Sequence, residues 1–220
     1  MFKLNNIKIY KIFNSKIILI DDFLKKHFLD KIINELSSIE KNAKDVKSFF
    51  LKGKSKKKEY LNFDEFSSNQ RLLIKKLSSE KFRKFLKKNF KIEEQIFPDK
   101  SLMFSGFNFV EKNGYLRPHV DFNYNNKYKK YRTLNLLLYF NTKWKKSYGG
   151  NLSFYNYFNK KKKYEFLAKK NRLVIFLTNK YTPHGYSKIT VKQKRVSLNF
   201  YYYTNSNFSF SSEPHKTIWH

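Results

Sequence analysis

The sequence predicts an α+β fold in which a mainly helical first half supports a β-rich second half. Apolar residues recur at helical spacing in the first half, whereas short aromatic and β-branched segments separated by turn residues follow from about position 102. Many short strands at fairly regular spacing are typical of a sandwich or barrel, including the jelly roll. With 220 residues, of which 40% are hydrophobic, the chain is long enough for one domain with a sizeable core.

The first half is expected to contain an extended N-terminus and three helices. Residues 1–20 end in a β-branched run and are predicted to be extended. Asp21 and Asp22 then offer N-cap chemistry to a helix over about 24–38, in which His27 lies off the apolar stripe and should face solvent. Further helices are predicted over 70–77 and 80–89. The lysine-rich stretch 52–58 is expected to be an exposed loop.

The second half is expected to be built from short strands joined by turns. Gly149 and Gly150 mark one turn, and residues 159–163 are expected to form a basic hairpin tip. No repeat or linker divides the chain, so we expect a single domain over 1–220, with helical support over 1–100, the jelly-roll core over 101–204 and a tail over 205–220. The predicted strands lie near 102–110, 115–121, 133–140, 151–157, 172–177, 185–191 and 195–203.

The chain is strongly basic. Its formal net charge is +30, from 47 Lys and Arg against 17 Asp and Glu. A nucleic acid or another anionic surface could be the partner of such a chain. However, the basic residues are spread along the whole sequence, and the joint abundance of Lys, Asn, Phe, Ile and Tyr is what an AT-rich genome produces. We therefore expect no nucleic-acid partner, and a basic binding module stays open as an alternative.

The absence of cysteine limits the chemistry. Disulfides, thiolate metal sites and cysteine nucleophiles are excluded. The longest early apolar run, 17–20, is much too short for a signal peptide or a membrane span. We therefore expect a soluble cytoplasmic protein without a membrane partner. Any metal would be held by Asp, Glu or one of the five histidines, which are His27, His119, His184, His215 and His220.

A His-x-Asp pair, His119 and Asp121, lies on one of the predicted strands. Side chains alternate along a strand, so these two project from the same side. Together with a second imidazole they would form the two-histidine, one-carboxylate set of non-haem Fe(II) oxygenases, which leaves open positions on an octahedral metal. On the pair alone, a solvated surface pair on a loop is the simpler interpretation.

The residues around this pair favour the metal site. Four features occur in a fixed order: the pair itself, then the strand 132–141 with Trp144 and the Gly149–Gly150 turn behind it, then the strand 171–176 leading to Pro183 and His184, and last Arg195, Val196 and Ser197 at the start of the final strand. In this order they resemble the 2-oxoglutarate and Fe(II)-dependent oxygenases, on the prolyl 4-hydroxylase-like branch. The resemblance covers about residues 102–204.

The resemblance implies a double-stranded β-helix, the cupin-like jelly roll, with N-terminal helices packed on the sheet. It implies an oxidoreductase, a dioxygenase that hydroxylates a C–H bond of a prolyl residue or of a small metabolite. Its cofactors would be Fe(II), 2-oxoglutarate as co-substrate and dioxygen, with ascorbate open as a further cofactor. The alternative is a non-catalytic basic jelly-roll module that binds nucleic acid or another anionic partner.

The resemblance also implies roles for particular residues. Arg195 matches the basic residue that pairs with the far carboxylate of 2-oxoglutarate, a partner that suits a planar guanidinium. Tyr139 matches a tyrosine that hydrogen-bonds the same carboxylate, although a core aromatic is an equally simple interpretation. Ser197 lies on the same strand face as Arg195 and could add a hydroxyl contact. The residues that match the iron ligands are His119, Asp121 and His184.

Some positions depart from the family pattern or fall outside it. Phe109 stands where prolyl hydroxylases often carry a second tyrosine for 2-oxoglutarate, so one polar contact would be missing or replaced. Tyr201 stands where nucleic-acid demethylases carry a second arginine, which argues against a nucleic-acid substrate. His215 and His220 lie in the tail and are expected to pack structurally and not to bind metal.

Overall fold

The computed structural model describes residues 1–41, 44–45, 57–60, 65–99, 102, 105–159, 161, 163–208 and 213–220. The predicted loop at 52–58 therefore lies outside the described residues except for its last two positions. Within the described part, three α-helices are present: α1, Lys26–Lys41; α2, Ser68–Leu77; and α3, Glu80–Phe90. All three helical regions predicted from the sequence are helices. No helix in these ranges is long and apolar enough to cross a membrane.

The strands of the described part form two antiparallel sheets. They are β1, Ile7–Ile12; β2, Ser15–Ile20; β3, Lys44–Asp45; β4, Lys57–Tyr60; β5, Phe97–Pro98; β6, Gly106–Val110; β7, Leu116–Val120; β8, Tyr124–Asn125; β9, Lys130–Tyr139; β10, Leu152–Tyr155; β11, Lys163–Phe166; β12, Leu173–Leu177; β13, His184–Tyr186; β14, Arg195–Thr204; and β15, Ile218–Trp219. The larger sheet has the order β1-β2-β12-β9-β14-β6-β4-β3, with β5 beside β14 and β8 beside β9. The smaller sheet has the order β11-β10-β13-β7-β15.

These connections make a double-stranded β-helix. The chain passes from β6 in the larger sheet to β7 in the smaller one and returns to the larger sheet at β8. It changes sheet again between β9 and β10, between β11 and β12, between β12 and β13, and between β13 and β14. The predicted α+β class and jelly-roll architecture are therefore confirmed. Six short strands were not predicted: β3, β4, β5, β8, β11 and β15. The first two residues of β4, Lys57 and Lys58, belong to the stretch that was expected to be a loop, and the sequence suggested the start of β11 only as the end of a basic hairpin.

Two apolar cores lie on opposite faces of the larger sheet. The first joins the outer face of the sheet to the helices, and Phe107, Leu136 and Leu198 belong to it. The second fills the space between the two sheets, where the ring of Phe176 of the larger sheet lies 4.9 Å from that of Phe154 of the smaller one. Each fully buried side chain of this size stabilises the fold by about 1.5–3 kcal/mol. The site described below opens from the second core.

The N-cap prediction for the first helix is wrong. Helix α1 begins at Lys26, and the backbone carbonyl of Lys25 accepts the amide of Leu29 at 3.0 Å. Asp21 instead accepts two hydrogen bonds from the guanidinium of Arg172, at 2.7 and 3.0 Å. This bidentate pair ties the end of β2 to the start of β12, and a charged partner of this kind outcompetes a helix amide.

Candidate active site

His119 and His184 face each other across two neighbouring strands of the smaller sheet. The register of β7 and β13 pairs them directly, and their ring centroids are 4.5 Å apart. Each Nδ1 lies 3.0 Å from a backbone carbonyl oxygen, that of Arg117 or of Thr182. Because a carbonyl oxygen only accepts, each Nδ1 carries the proton and donates it. Both Nε2 atoms are therefore left with a free lone pair.

Asp121 follows directly on β7 and completes a compact cluster with the two histidines. Its Oδ1 lies 3.4 Å from Nε2 of His119, and its Oδ2 lies 3.4 Å from Nε2 of His184. One ligand atom from each of the three residues lies within 4.8 Å of the others. Two imidazole nitrogens and one carboxylate are the donors that non-haem Fe(II) takes, so the residues present fit this metal.

Burial and charge hold the cluster in the protonation state that binds metal. Burial alone would raise the pKa of Asp121, but the guanidinium of Arg132 outweighs it, with help from both histidines, and the pKa falls well below its usual range. Burial lowers the pKa of His184 to about 4, although the Asp121 charge opposes this shift. At neutral pH the carboxylate is therefore ionised and His184 is neutral, so neither must lose a proton before binding a cation.

Two residues of β9 that the sequence patterns did not single out hold the Asp121 carboxylate. Arg132 Nη2 lies 3.1 Å from Asp121 Oδ2, and Asn135 Nδ2 donates to the same oxygen at 2.6 Å. The Arg132 guanidinium is stacked at 3.6 Å over the ring of Tyr201 and at 4.7 Å over that of Phe122. Because Oδ2 already accepts two hydrogen bonds, Oδ1 is the oxygen left for a metal. An arginine in a strand that continues into the apolar run 136–139 was the available signal, since a buried charge needs a partner.

Arg195 lies at the other end of the site and is 2% exposed. Its Nε donates to the carbonyl of Gly150 at 2.6 Å, and its Nη2 donates to the Tyr139 hydroxyl at 3.2 Å. The Oγ of Ser197 lies 3.5 Å from its Nη1. None of these partners, which all lie in the described part of the chain, is a carboxylate. The buried positive charge therefore suits an anionic ligand.

The predicted Gly149–Gly150 turn makes room for this arginine. Gly150 has φ +67°, and a Cβ atom built on it would lie 3.0 Å from Cδ of Arg195 and 3.1 Å from Cγ1 of Ile189. A side chain at this position would therefore strain the backbone and push against the arginine stem. The turn thus has a direct role in positioning the guanidinium.

One cavity of about 80 Å³ connects the two ends of the site. The structure brings together five of the six residues that the sequence suggested, all of which line the cavity: His119, Asp121, His184, Arg195 and Ser197. The sixth, Tyr139, is fully buried and contacts Arg195, which donates to its hydroxyl and lies 5.0 Å from its ring centroid. Tyr201 lines the cavity as well, whereas Phe200 and Tyr202 belong to the core beneath the helices.

The interpretation of Phe109 as a position in this cavity is wrong. Phe109 lies opposite Val196 and packs into the core beneath the helices. Its neighbour Asn108 lies opposite Ser197 and lines the cavity instead. Since strand side chains alternate, a shift of one residue moves a side chain to the other face of the sheet. The lack of a hydroxyl group at Phe109 therefore leaves the cavity wall unchanged.

The C-terminal tail packs beside the histidines. Strand β15 pairs with β7, which sets Trp219 opposite His119 with their ring centroids 4.9 Å apart. The amide of His220 donates to the carbonyl of Pro118 at 2.9 Å, and that of His215 donates to Oδ1 of Asn123 at 2.7 Å. These contacts agree with structural packing of both tail histidines. His27 is exposed, as expected.

Comparisons with known proteins agree with this geometry. The model of the 2OG-Fe(II) oxygenase superfamily matches residues 105–203. A prolyl-4-hydroxylase from Pseudomonas putida is similar in structure, with a TM-score of 0.65 and 13% identity over 86% of this chain and 93% of that one. No curated protein is significantly similar in sequence.

Two further solved structures are similar to the chain. The viral collagen prolyl hydroxylase from Paramecium bursaria Chlorella virus-1, in its 2-oxoglutarate complex, has a TM-score of 0.60 and 15% identity over 86% of this chain and 96% of that one. HygX from Streptomyces hygroscopicus, with nickel, 2-oxoglutarate and hygromycin B bound, has a TM-score of 0.61 and 9% identity over 93% and 92%. Because the sequence identities are this low, the similarity to these structures shows the fold alone.

Proposed function

We propose that this chain, a member of the 2OG-Fe(II) oxygenase superfamily through its residues 105–203, hydroxylates a prolyl residue of a polypeptide. As a member of that superfamily it is an Fe(II)- and 2-oxoglutarate-dependent dioxygenase, and the non-catalytic basic module is not favoured. One observation carries the assignment of residues: a histidine–aspartate–histidine cluster lines the same cavity as Arg195, a buried arginine whose hydrogen-bond partners in the described ranges are all neutral. The residue roles and the substrate are the proposed part.

In this proposal the metal is held by His119, Asp121 and His184. The backbone carbonyls that accept from both Nδ1 atoms fix the orientation of the rings. Arg132 and Asn135 hold Oδ2 of Asp121, so the carboxylate presents Oδ1. Apolar side chains of the cavity wall, among them Leu137 and Leu152, keep bulk water away from the end that holds His119, Asp121 and His184, here called the metal end.

Arg195 binds the far carboxylate of 2-oxoglutarate in this proposal. Tyr139 orients the guanidinium from behind, and Ser197 offers a hydroxyl on the cavity side. Burial raises the pKa of Tyr139, although Arg195 opposes the shift, so its hydroxyl keeps the proton. When bound, the iron and 2-oxoglutarate supply the oxidative chemistry, in which dioxygen is consumed, succinate and carbon dioxide form and a C–H bond is hydroxylated.

A groove beside the metal end supports a polypeptide substrate. It has a volume of about 640 Å³ and lies between the segment 122–127 and the tail segment 214–217. Phe122, one of its walls, stacks on Arg132, whose guanidinium contacts Asp121. The groove is thus next to the metal end and is larger than the cavity, which suits a chain that extends beyond the reacting residue. A small metabolite is the second candidate, since HygX was solved with hygromycin B bound.

The residue assignment is tested by adding Fe(II) and 2-oxoglutarate without oxygen and recording the visible charge-transfer band. We expect a band in the wild type, no band in His119→Ala, and a band in Arg195→Ala that needs more 2-oxoglutarate. Succinate should form once oxygen is admitted. A wild type that takes up no iron and shows no band would overturn the assignment.

The substrate is tested separately in the same preparation. We expect a proline-rich peptide to raise succinate formation and to gain the mass of one oxygen atom, and the same peptide with alanine for proline to do neither. If a panel of free amino acids, sugars and other metabolites stimulates turnover and no peptide does, the polypeptide proposal is wrong and the second candidate takes its place.

A further inference from the structure

The hairpin between β10 and β11 presents an apolar side chain to solvent. Phe158 is 81% exposed, more than any other large hydrophobic residue of the described part, and Tyr157 beside it is 36% exposed. The turn is held from within, because Oδ1 of Asn156 accepts the amides of Phe158 at 2.9 Å and of Asn159 at 2.7 Å. The exposure of Phe158 is therefore built into an ordered turn.

Tyr157, Phe158 and Tyr181 form one cluster, here called the aromatic tip. The rings of Tyr157 and Phe158 are 5.3 Å apart at 87°, and those of Tyr157 and Tyr181 are 6.1 Å apart at 80°. Phe158 also lies 6.4 Å from Tyr181. The cluster combines one wholly apolar ring that protrudes with two rings that carry hydroxyl groups behind it.

Positive charge lies next to the aromatic tip. Lys161 and Lys163 follow it on the hairpin and are exposed. Lys180 lies 5.2 Å from the ring centroid of Tyr181. The acidic residue on this hairpin is Glu165, which pairs with Lys163 at 3.1 Å. A partner that covers the tip must therefore offer negative charge together with an apolar layer.

We propose that the aromatic tip docks on an anionic lipid surface. In this arrangement Phe158 enters the apolar layer, the tyrosine hydroxyls stay at the headgroup level, and the lysines contact the headgroup charges. The sequence-based expectation of no membrane partner rested on the lack of an apolar span, a feature that a docking hairpin does not need. The expected cytoplasmic location is compatible, since the cytoplasmic leaflet carries the anionic lipids.

Other partners fit the tip less well. A second copy of the chain carries the same formal charge of +30 and is repelled. A single-stranded nucleic acid needs ring faces on which successive bases can stack. Here the rings of the tip contact one another, and Tyr157 is almost perpendicular to the other two rings of the tip. They therefore form a compact protrusion and not a track of open ring faces.

The docking surface lies close to the active site but outside it. Tyr157 lies 5.8 Å from the ring of His220, whose neighbour Trp219 packs on His119. Phe158 and Lys161 line neither the cavity nor the groove. Substitutions at these two positions can therefore change docking while the oxygenase chemistry stays intact, which separates a failure of this proposal from a failure of the proposed function.

The test is co-sedimentation of the full chain with vesicles of phosphatidylcholine alone and with vesicles of equimolar phosphatidylcholine and phosphatidylserine. We expect the wild type to bind the anionic vesicles only. Phe158→Ser should weaken binding roughly tenfold, because a buried phenyl ring is lost. Lys161→Ala should weaken it roughly fivefold. Two matched controls should bind like the wild type within about twofold: Ile9→Ser, which removes another apolar side chain that is 55% exposed, and Lys145→Ala.

Three outcomes would overturn the proposal. The wild type could fail to bind anionic vesicles at all. Phe158→Ser could bind anionic vesicles as tightly as the wild type and Ile9→Ser, which would mean that overall charge and not the aromatic tip drives adsorption. Last, Phe158→Ser could weaken binding of a fluorescent oligothymidine strand, read by anisotropy, and leave vesicle binding unchanged, which would make the tip a nucleic-acid platform. Succinate formation in each variant checks that the enzyme is intact.

Discussion

The two ends of the cavity differ in how buried charge is compensated. At the metal end, the negative charge of Asp121 is paired with Arg132 and hydrogen-bonded by Asn135. At the other end, the positive charge of Arg195 meets neutral partners, a backbone carbonyl and two hydroxyls. A buried pair costs much less than a lone buried charge. The metal end is therefore arranged before any ligand arrives, whereas the arginine end gains most when an anion binds.

Removal of the Asp121 carboxylate should have the largest effect on metal binding and on stability. Asp121→Ala removes a proposed metal ligand and leaves Arg132 buried without the anionic partner described above. We expect no measurable binding of Fe(II) or Co(II) by titration calorimetry and a loss of about 3–5 kcal/mol in the free energy of unfolding by urea. The double variant Asp121→Ala with Arg132→Met should regain much of the stability but no metal binding. If the single variant is as stable as the wild type, the pair is not what compensates the charge.

Removal of the Arg132 guanidinium tests the same ion pair by changing its other member. Arg132→Met leaves all three proposed metal ligands in place but removes one of the two groups that hold Oδ2 of Asp121. We expect metal affinity to fall about 10–100-fold, the usual cost of losing a group that orients a ligand. Lys130→Met is the control, because its amino group binds Asn205 at the surface. Equal metal affinity in both variants would show that Asn135 alone orients the carboxylate.

A substitution in the glycine turn should disturb the arginine end and leave the metal end unchanged. Gly150→Ala adds a Cβ within 3.0 Å of Cδ of Arg195 at a positive φ. We expect 2-oxoglutarate to bind roughly tenfold more weakly, since a charge-assisted hydrogen bond is misaligned, while Co(II) affinity in its absence stays at the wild-type value. The exposed Lys145→Ala serves as the control in the same loop. A parallel loss of metal affinity would mean that the two ends do not act separately.

The smallest expected effect concerns the ion pair between Asp21 and Arg172, which lies outside the cavity. Burial alone would raise the pKa of Asp21, but Arg172 and then Lys169 outweigh it and lower the pKa below its ordinary value of 3.8. A lowered pKa in the folded state adds stability that is present above the unfolded value and is lost as the pH falls through the folded one.

The wild type should therefore lose this contribution below about pH 4, whereas Asp21→Asn should lack it at neutral pH and show a flatter acid limb. Urea unfolding between neutral pH and pH 3 measures the difference. If the two unfolding free energies converge at neutral pH instead of at acid pH, the sign assigned to Asp21 is wrong.

The correct and incorrect predictions differ in how far apart the interacting residues are. The helices at 68–77 and 80–90 were predicted because apolar periodicity is a local property. The prediction that Asp21 caps helix α1 was wrong because Asp21 pairs with Arg172, which is remote in the chain. Arg132 and Asn135 escaped notice for the same reason, since they reach Asp121 only after β9 lies across the site from β7.

The sequence by itself determined the donor types, their order along the chain and the basic composition. The absence of cysteine left histidine and carboxylate as ligands, and strand alternation put His119 and Asp121 on one side. Only the tertiary structure decided which strands pair and in which register. That register sets His184 opposite His119, turns Asn108 and not Phe109 into the cavity, and brings Arg132 to Asp121. Strand pairing depends on contacts between distant residues, and a shift of one position reverses every side chain, so no local pattern can specify it.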